Sequence, residues 1–174
     1  MHRQRVYQHL GFQKLSERLI TEYLRRNPVS ATWVGEHRYD DLLPETGAEA
    51  AEKDCEWFLQ QRSAWESLPE RELSLDERLD RRLVLYFLQN ELFMNADVRR
   101  WRLGADLART IGDSLFPLFV RDFAPWHERV ERMISRLRAT PVFLASGRTL
   151  FQAVPPLFVE IYLESAERLP ELFR

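Results

Sequence analysis
The sequence predicts an all-α protein, an irregular bundle of about six or seven helices, and three observations lead there. Apolar residues recur three and four apart along most of the 174-residue chain. No stretch alternates apolar and polar residues for long enough to make a half-buried strand. Prolines and capping signals fall between the periodic segments, where helices begin and end.

Residues 4–26 set Val6, Leu10, Leu15, Leu19, Ile20, Tyr23 and Leu24 near one face, with Glu22 spaced to pair with Arg25 or Arg26. Asn27-Pro28 signals a cap and first turn, and Gly35 is placed to end the resulting short helix in a left-handed conformation. A loop then runs to Pro44. Residues 46–65 resume the helical period through Ala51, Cys55, Phe58, Leu59 and Arg62, until Leu68-Pro69 breaks it. Ser74-x-x-Glu77 is a capping box, in which hydroxyl and carboxylate each accept from the other residue's backbone N–H. The helix it opens carries Leu75, Leu79, Leu83, Tyr86, Phe87, Phe93 and Met94, with a Glu77–Arg81 pair on its wet side.

Trp101 and Gly104 mark another break, followed by a helix through Leu107, Ile111 and Leu115 that Pro117 should end or kink. Pro125 occupies a first-turn position, and Val130, Met133, Ile134 and Leu137 define the next apolar face. Thr140-Pro141 repeats the start signal, and after Pro155-Pro156 a last helix runs through Leu157, Ile161, Tyr162 and Ala166. Residues 1–174 read as a single helical domain. The closing ELFR follows a helical pattern without a glycine cap or polar tail, an ending that looks cut rather than finished.

Composition narrows the function classes. Hydrophobic residues make up 45% and charged residues 30%, a globular balance, and five Trp point to a core of large interlocking side chains. The 25 basic and 27 acidic residues are interleaved, so no uncompensated basic face offers itself to nucleic acid. The apolar run Leu83 to Leu88 is too short to span a bilayer, and the amino terminus has no apolar export segment. With Cys55 as the single cysteine there is no internal disulfide, and a reducing cytoplasm is the simplest location. Cys55 falls on the apolar side of its helix, so an inert thiol is expected.

Three constellations bear on chemistry. His127-Glu128-Arg129-Val130-Glu131 places a His and a second potential ligand four apart, as on a zinc-binding helix, but it begins within a turn of Pro125 among charged residues and signals no third ligand. Glu160 and Glu164 are spaced to share a helix face, where a solvated surface is the preferred reading over a cation or proton site. His37, Tyr39, Asp40 and Asp41 form the densest mixed cluster and are the substrate-cleft candidates. The structural alternative is that the two Asp turn the chain while Tyr39 anchors the loop. No catalytic residue and no metal ligand is assigned, and no Gly-rich phosphate loop or nucleophile elbow is present.

Three segments carry a family resemblance: LSERLITEYLRRNPVSATWVGEHRYDDLLP, LSLDERLDRRLVLYFLQNELF and DFAPWHERVERMISRLRATPVFL. In that order they resemble the amino-terminal part of the bacterial domain-of-unknown-function family 885, whose members are helical, several times longer, and similar to zinc metallopeptidases. NPVSAT-x-x-G-x-H-x-Y-D-D is the most specific element. The zinc-binding His-Glu-x-x-His helix implied by the resemblance belongs to the carboxy-terminal part of such proteins, and this chain has no such motif. Zinc is therefore expected only in full-length relatives, with no cofactor in this chain.

The resemblance implies a helical scaffold of a metallopeptidase-like hydrolase, inactive alone, whose partner is the missing C-terminal half. The alternative is a non-enzymatic helical module that self-associates or binds a partner through an exposed apolar face. A third reading, a ligand-binding bundle, would line a pocket with Trp33, Tyr39 and Trp101.

Overall fold
A computed structural model describes the backbone of residues 2–173 and the side chains of residues 11–171. Among the described residues there are seven α-helices: α1 (His2–Arg26), α2 (Pro28–Trp33), α3 (Ala48–Glu66), α4 (Leu75–Leu92), α5 (Leu107–Val120), α6 (Trp126–Gly147) and α7 (Pro156–Arg168). Short 3-10 turns join several of them, and a π-helical stretch, Phe93–Asp97, extends α4. Among the described residues there is no strand, only an isolated antiparallel bridge between Leu103 and Phe151. The side chains of Val6 and Leu10, placed on the apolar face of the first helix by their spacing, lie outside the described residues.

The chain divides into two compact units, Met1–Glu22 with Ala51–Arg99, and Tyr23–Ala50 with Arg100–Arg174. In the first unit an aromatic core forms on α3. Phe12 meets Trp65 edge-on at 5.5 Å, and Phe58 packs edge-on against Trp57 at 5.0 Å and Phe87 at 6.3 Å. Such T-shaped pairs place a ring's positive edge on its neighbour's negative face. The Glu22 carboxylate accepts from Arg18 Nε at 2.8 Å and from the Trp57 indole at 2.7 Å, because a buried indole N–H needs an acceptor.

The capping box at Ser74 forms as the sequence predicts, with Glu77 N to Ser74 Oγ at 3.2 Å and Ser74 N to Glu77 Oε2 at 2.8 Å. The face of the helix it starts is inverted relative to expectation. Leu88 and Leu92 are buried, while Leu75, Leu79, Leu83 and Tyr86 are 64%, 50%, 67% and 74% exposed. Arg81 explains the inversion. Its guanidinium leaves the wet side and donates to the carbonyls of Trp65 at 3.0 Å and Glu66 at 3.1 Å, satisfying the C-terminal end of α3. Rotating α4 to bring Arg81 inward turns the Leu75–Tyr86 stripe outward.

In the second unit Ile111, Leu115 and Phe143 form a core to which Leu43, Leu107, Met133 and Leu169 are added. Gly147 lets α6 pass Leu107 closely, since a Cβ there would come within 2.6 Å of Leu107 Cδ1. Gly35 has φ 87° and closes α2 as its position predicted. Two prolines end no helix. Pro117 lies inside α5 and Pro141 inside α6. The predicted restart at Thr140-Pro141 is absent, and the Thr140 hydroxyl instead donates to Arg136 O at 3.0 Å.

The inversion of α4 predicts unequal costs for two leucines five residues apart in sequence. In urea denaturation of the chain at low, monomeric concentration, Leu88→Ala is expected to cost about 2–5 kcal/mol, and Leu83→Ala less than about 0.5 kcal/mol.

Candidate functional site
The loop that holds the cleft candidates is organised from α6. Arg129, Met133, Arg136, Thr140, Phe143 and Gly147 recur four and three apart, and this is the stripe α6 turns inward, with Arg129, Arg136, Phe143 and Gly147 buried. Ile134 and Leu137, expected inside, are each 40% exposed. The reason is that guanidinium groups occupy the inner positions and need the backbone acceptors found there.

Arg136 is fully buried. Its Nη1 donates to Ser114 O on α5, and its Nη2 donates to Thr32 Oγ1 at 2.7 Å and, at 3.4 Å, to Pro28 O and Tyr39 O. Thr32, accepting from Arg136, donates to Asp40 Oδ1 at 2.7 Å. Asp40 is also fully buried, and its second oxygen meets His37 Nδ1 at 2.8 Å. A chain of polar contacts thus runs from a buried guanidinium through a hydroxyl and a carboxylate to a half-buried imidazole. Burial pushes the Arg136 pKa down to about 10, while the charges of Asp40 and Asp41 oppose the shift.

His37 is held on three sides. Its ring stacks on Phe123 at 3.6 Å with 7° between the planes, Asp40 takes Nδ1, and Arg132 Nη1 reaches its carbonyl at 3.4 Å. A carboxylate can only accept, so Nδ1 carries the proton and Nε2 presents a lone pair in the neutral ring. Beside it, Glu36 clamps Arg38 by accepting from its backbone N–H at 3.0 Å, Nε at 2.9 Å and Nη2 at 2.8 Å. These bonds hold the Glu36 carboxyl down to about 2.

The four cleft candidates therefore have different roles. Asp40 is enclosed and its oxygens are engaged by Thr32 and His37. Tyr39 gives its carbonyl to Arg136 and lies under the Arg38 guanidinium at 5.5 Å. Asp41 is exposed, and His37 offers the one oriented imidazole of the cluster. Arg129 and Arg136 were not singled out in the sequence, although their spacing on the inner stripe of α6 was a usable signal, and neither was Arg132 beside them.

The remaining candidates are dispersed. His127 and Glu131 are both exposed on the outer side of α6. Glu164 pairs with Arg168 at 2.7 Å on α7. Cys55 is partly buried, and burial pushes its thiol upward, away from the reactive thiolate. Trp33 donates its indole N–H to Asp113 O at 3.0 Å, stacks with Phe116 at 6.4 Å and carries the Arg121 guanidinium at 4.9 Å. Trp101 lies in the separate 3-10 turn Arg100–Arg102. Among the described residues no three His, Cys, Asp or Glu side chains converge into a group that could hold a metal ion. Among the described residues no helix is long and apolar enough to cross a membrane.

No family model matches the chain, and no curated protein matches it. A solved structure does: a protein of unknown function from Shewanella oneidensis, described as a candidate lipoprotein, at 18% identity and a TM-score of 0.82. The match covers 94% of this chain and 30% of that one. At this identity the likeness establishes the all-helical fold alone.

The polar chain gives two expected outcomes. Arg136→Met leaves Asp40 without its compensating charge and is expected to cost about 3–5 kcal/mol in chemical denaturation. In long-range nitrogen–proton NMR at neutral pH, His37 is expected as the Nδ1–H tautomer, and Asp40→Leu to release it toward Nε2–H.

Proposed function
We propose that this chain is the helical amino-terminal scaffold of a larger zinc-metallopeptidase-like hydrolase and has no hydrolytic activity alone. The hydrolase class rests on the ordered sequence resemblance described above. The observation that carries the scaffold reading is α7. One side of this helix packs inward, where Phe158 and Tyr162 meet at 6.2 Å, Tyr162 meets Phe151 at 6.0 Å, and Ser165 Oγ donates to Asp106 Oδ2 at 2.6 Å. Two further sides are also apolar, with Leu157 and Ile161 exposed on one and Val159 and Leu163 on the other. Glu160, Glu164 and Glu167 fill only the strip that remains.

A helix apolar on nearly all sides is the kind found inside a larger body. The neighbour of the same fold is such a body, since the shared region makes up 30% of its chain. In this reading the His37 corner contributes wall and orientation to a cleft whose metal chemistry belongs to the other part of the protein.

The test is metal analysis and peptidase assay of the 174-residue chain, alone and co-expressed with an adjacently encoded polypeptide bearing a His-Glu-x-x-His helix. Zinc and hydrolysis are expected only in the complex, and stoichiometric zinc or robust hydrolysis from the chain alone overturns the proposal. Replacing Ile161 and Leu163 together by Gln is expected to reduce aggregation of the isolated chain without loss of helical circular dichroism, and to abolish the complex.

A further inference from the structure
The exposed stripe of α4 is a second apolar surface, in the other compact unit, and its borders are charged in a particular order. At about 100° per residue, Leu75, Leu79, Leu83 and Tyr86 lie within about 80° of one another around the helix. Their mean direction is flanked on one edge by Asp76 and Asp80 and on the other by Arg82 and Arg78. The two edges mirror each other, at about 60° for Asp76 and Arg82 and about 100° for Asp80 and Arg78. Asn90 falls on the same stripe beyond Tyr86.

We propose that this face binds a second copy of the chain, with the two α4 helices parallel about a twofold axis. The charge order decides both partner and direction. A twofold axis parallel to two helices sets opposite edges against each other, so each acidic edge meets the basic edge of the other copy. An antiparallel pair would set acidic edge on acidic edge and basic on basic, which is repulsive.

In the parallel pair Asp80 lies between Arg78 and Arg82 of the other copy, about 3 Å along the axis from the level of each. Asn90 meets its own counterpart, the arrangement by which a single polar residue in an apolar seam fixes parallel register. Within one copy, the contact of Arg82 among the described residues is one at 3.5 Å with the exposed Glu70, so its guanidinium is available to a stronger partner.

Sedimentation of the full chain tests this, in the wild type and in the Ile161→Gln/Leu163→Gln chain, where association through α7 does not enter. A saturable dimer is expected in both. Arg82→Glu and Asp80→Arg are each expected to weaken it about tenfold, and the double reversal to recover most of that loss, because the opposed charges then meet again across the seam. Leu83→Glu is expected to give a monomer with unchanged helical circular dichroism. A wild-type monomer at about 0.1 mM, or a double reversal no tighter than the single ones, overturns the proposal.

Discussion
The second compact unit depends on one buried cation. A guanidinium carries five N–H donors and cannot shed its charge at ordinary pH, so a fully enclosed Arg136 requires acceptors placed around it before the helices can close. Those acceptors come from α2, the turn after it and α5: the carbonyls of Pro28, Tyr39 and Ser114, and the hydroxyl of Thr32. Asp40 supplies the compensating negative charge through Thr32. Burial drives the guanidinium toward neutrality and the two aspartates resist it. The NPVSATWVGEHRYDD stretch thus has its form because a charge on a helix about a hundred residues away must be surrounded.

The same logic governs the prolines. A proline inside a helix leaves the carbonyl four residues earlier without its N–H donor. Pro117 does this to Asp113, and the Trp33 indole supplies the missing donor at 3.0 Å. That bond lets α5 run on to Val120 and also fixes Trp33 against Phe116. At the end of α5, Arg129 Nη1 collects the carbonyls of Leu118, Phe119 and Arg121, at 3.2, 3.2 and 2.8 Å. Arg81 does the same for α3 in the other unit. Arginine here serves as a cap for helix ends, a role for which its planar fork is better suited than lysine.

This use of arginine marks where sequence reasoning succeeded and where it stopped. The existence and order of the helices were legible, because the 3.6-residue period and the Ser74 box are local signals. The short helix closed by Gly35 was legible for the same reason. The faces of α4 and α6 were not, since a reading that places charge outside puts Arg81 and Arg136 on the wrong side. Continuity through Pro117 and Pro141 was also hidden. At Pro117 the compensating donor comes from a residue eighty positions away, and no window of local sequence contains it. At the His37 corner the residues were identified, yet the enclosure of Asp40 depends on Arg136 and Thr32, which the local cluster does not include.

These inversions also shape the molecule's outer surface. Because Arg81 turns inward, four large apolar side chains of α4 turn outward, and α7 keeps apolar groups on sides that its packing against α5 does not use. Surfaces of this kind carry a cost in water, roughly 25 cal/mol for each Å² left uncovered. A fold can be shared at 18% identity without sharing chemistry, so the likeness to a longer helical protein does not supply an activity. In the proposed reading this chain supplies support. The Arg136 network spends its charge on backbone carbonyls and, through Thr32 and Asp40, holds the His37 imidazole, which stacks on Phe123. An imidazole fixed in this way can orient or accept a proton, whereas hydrolysis also needs an activated water or nucleophile. That division of labour is what a scaffold with one wall of a cleft would show.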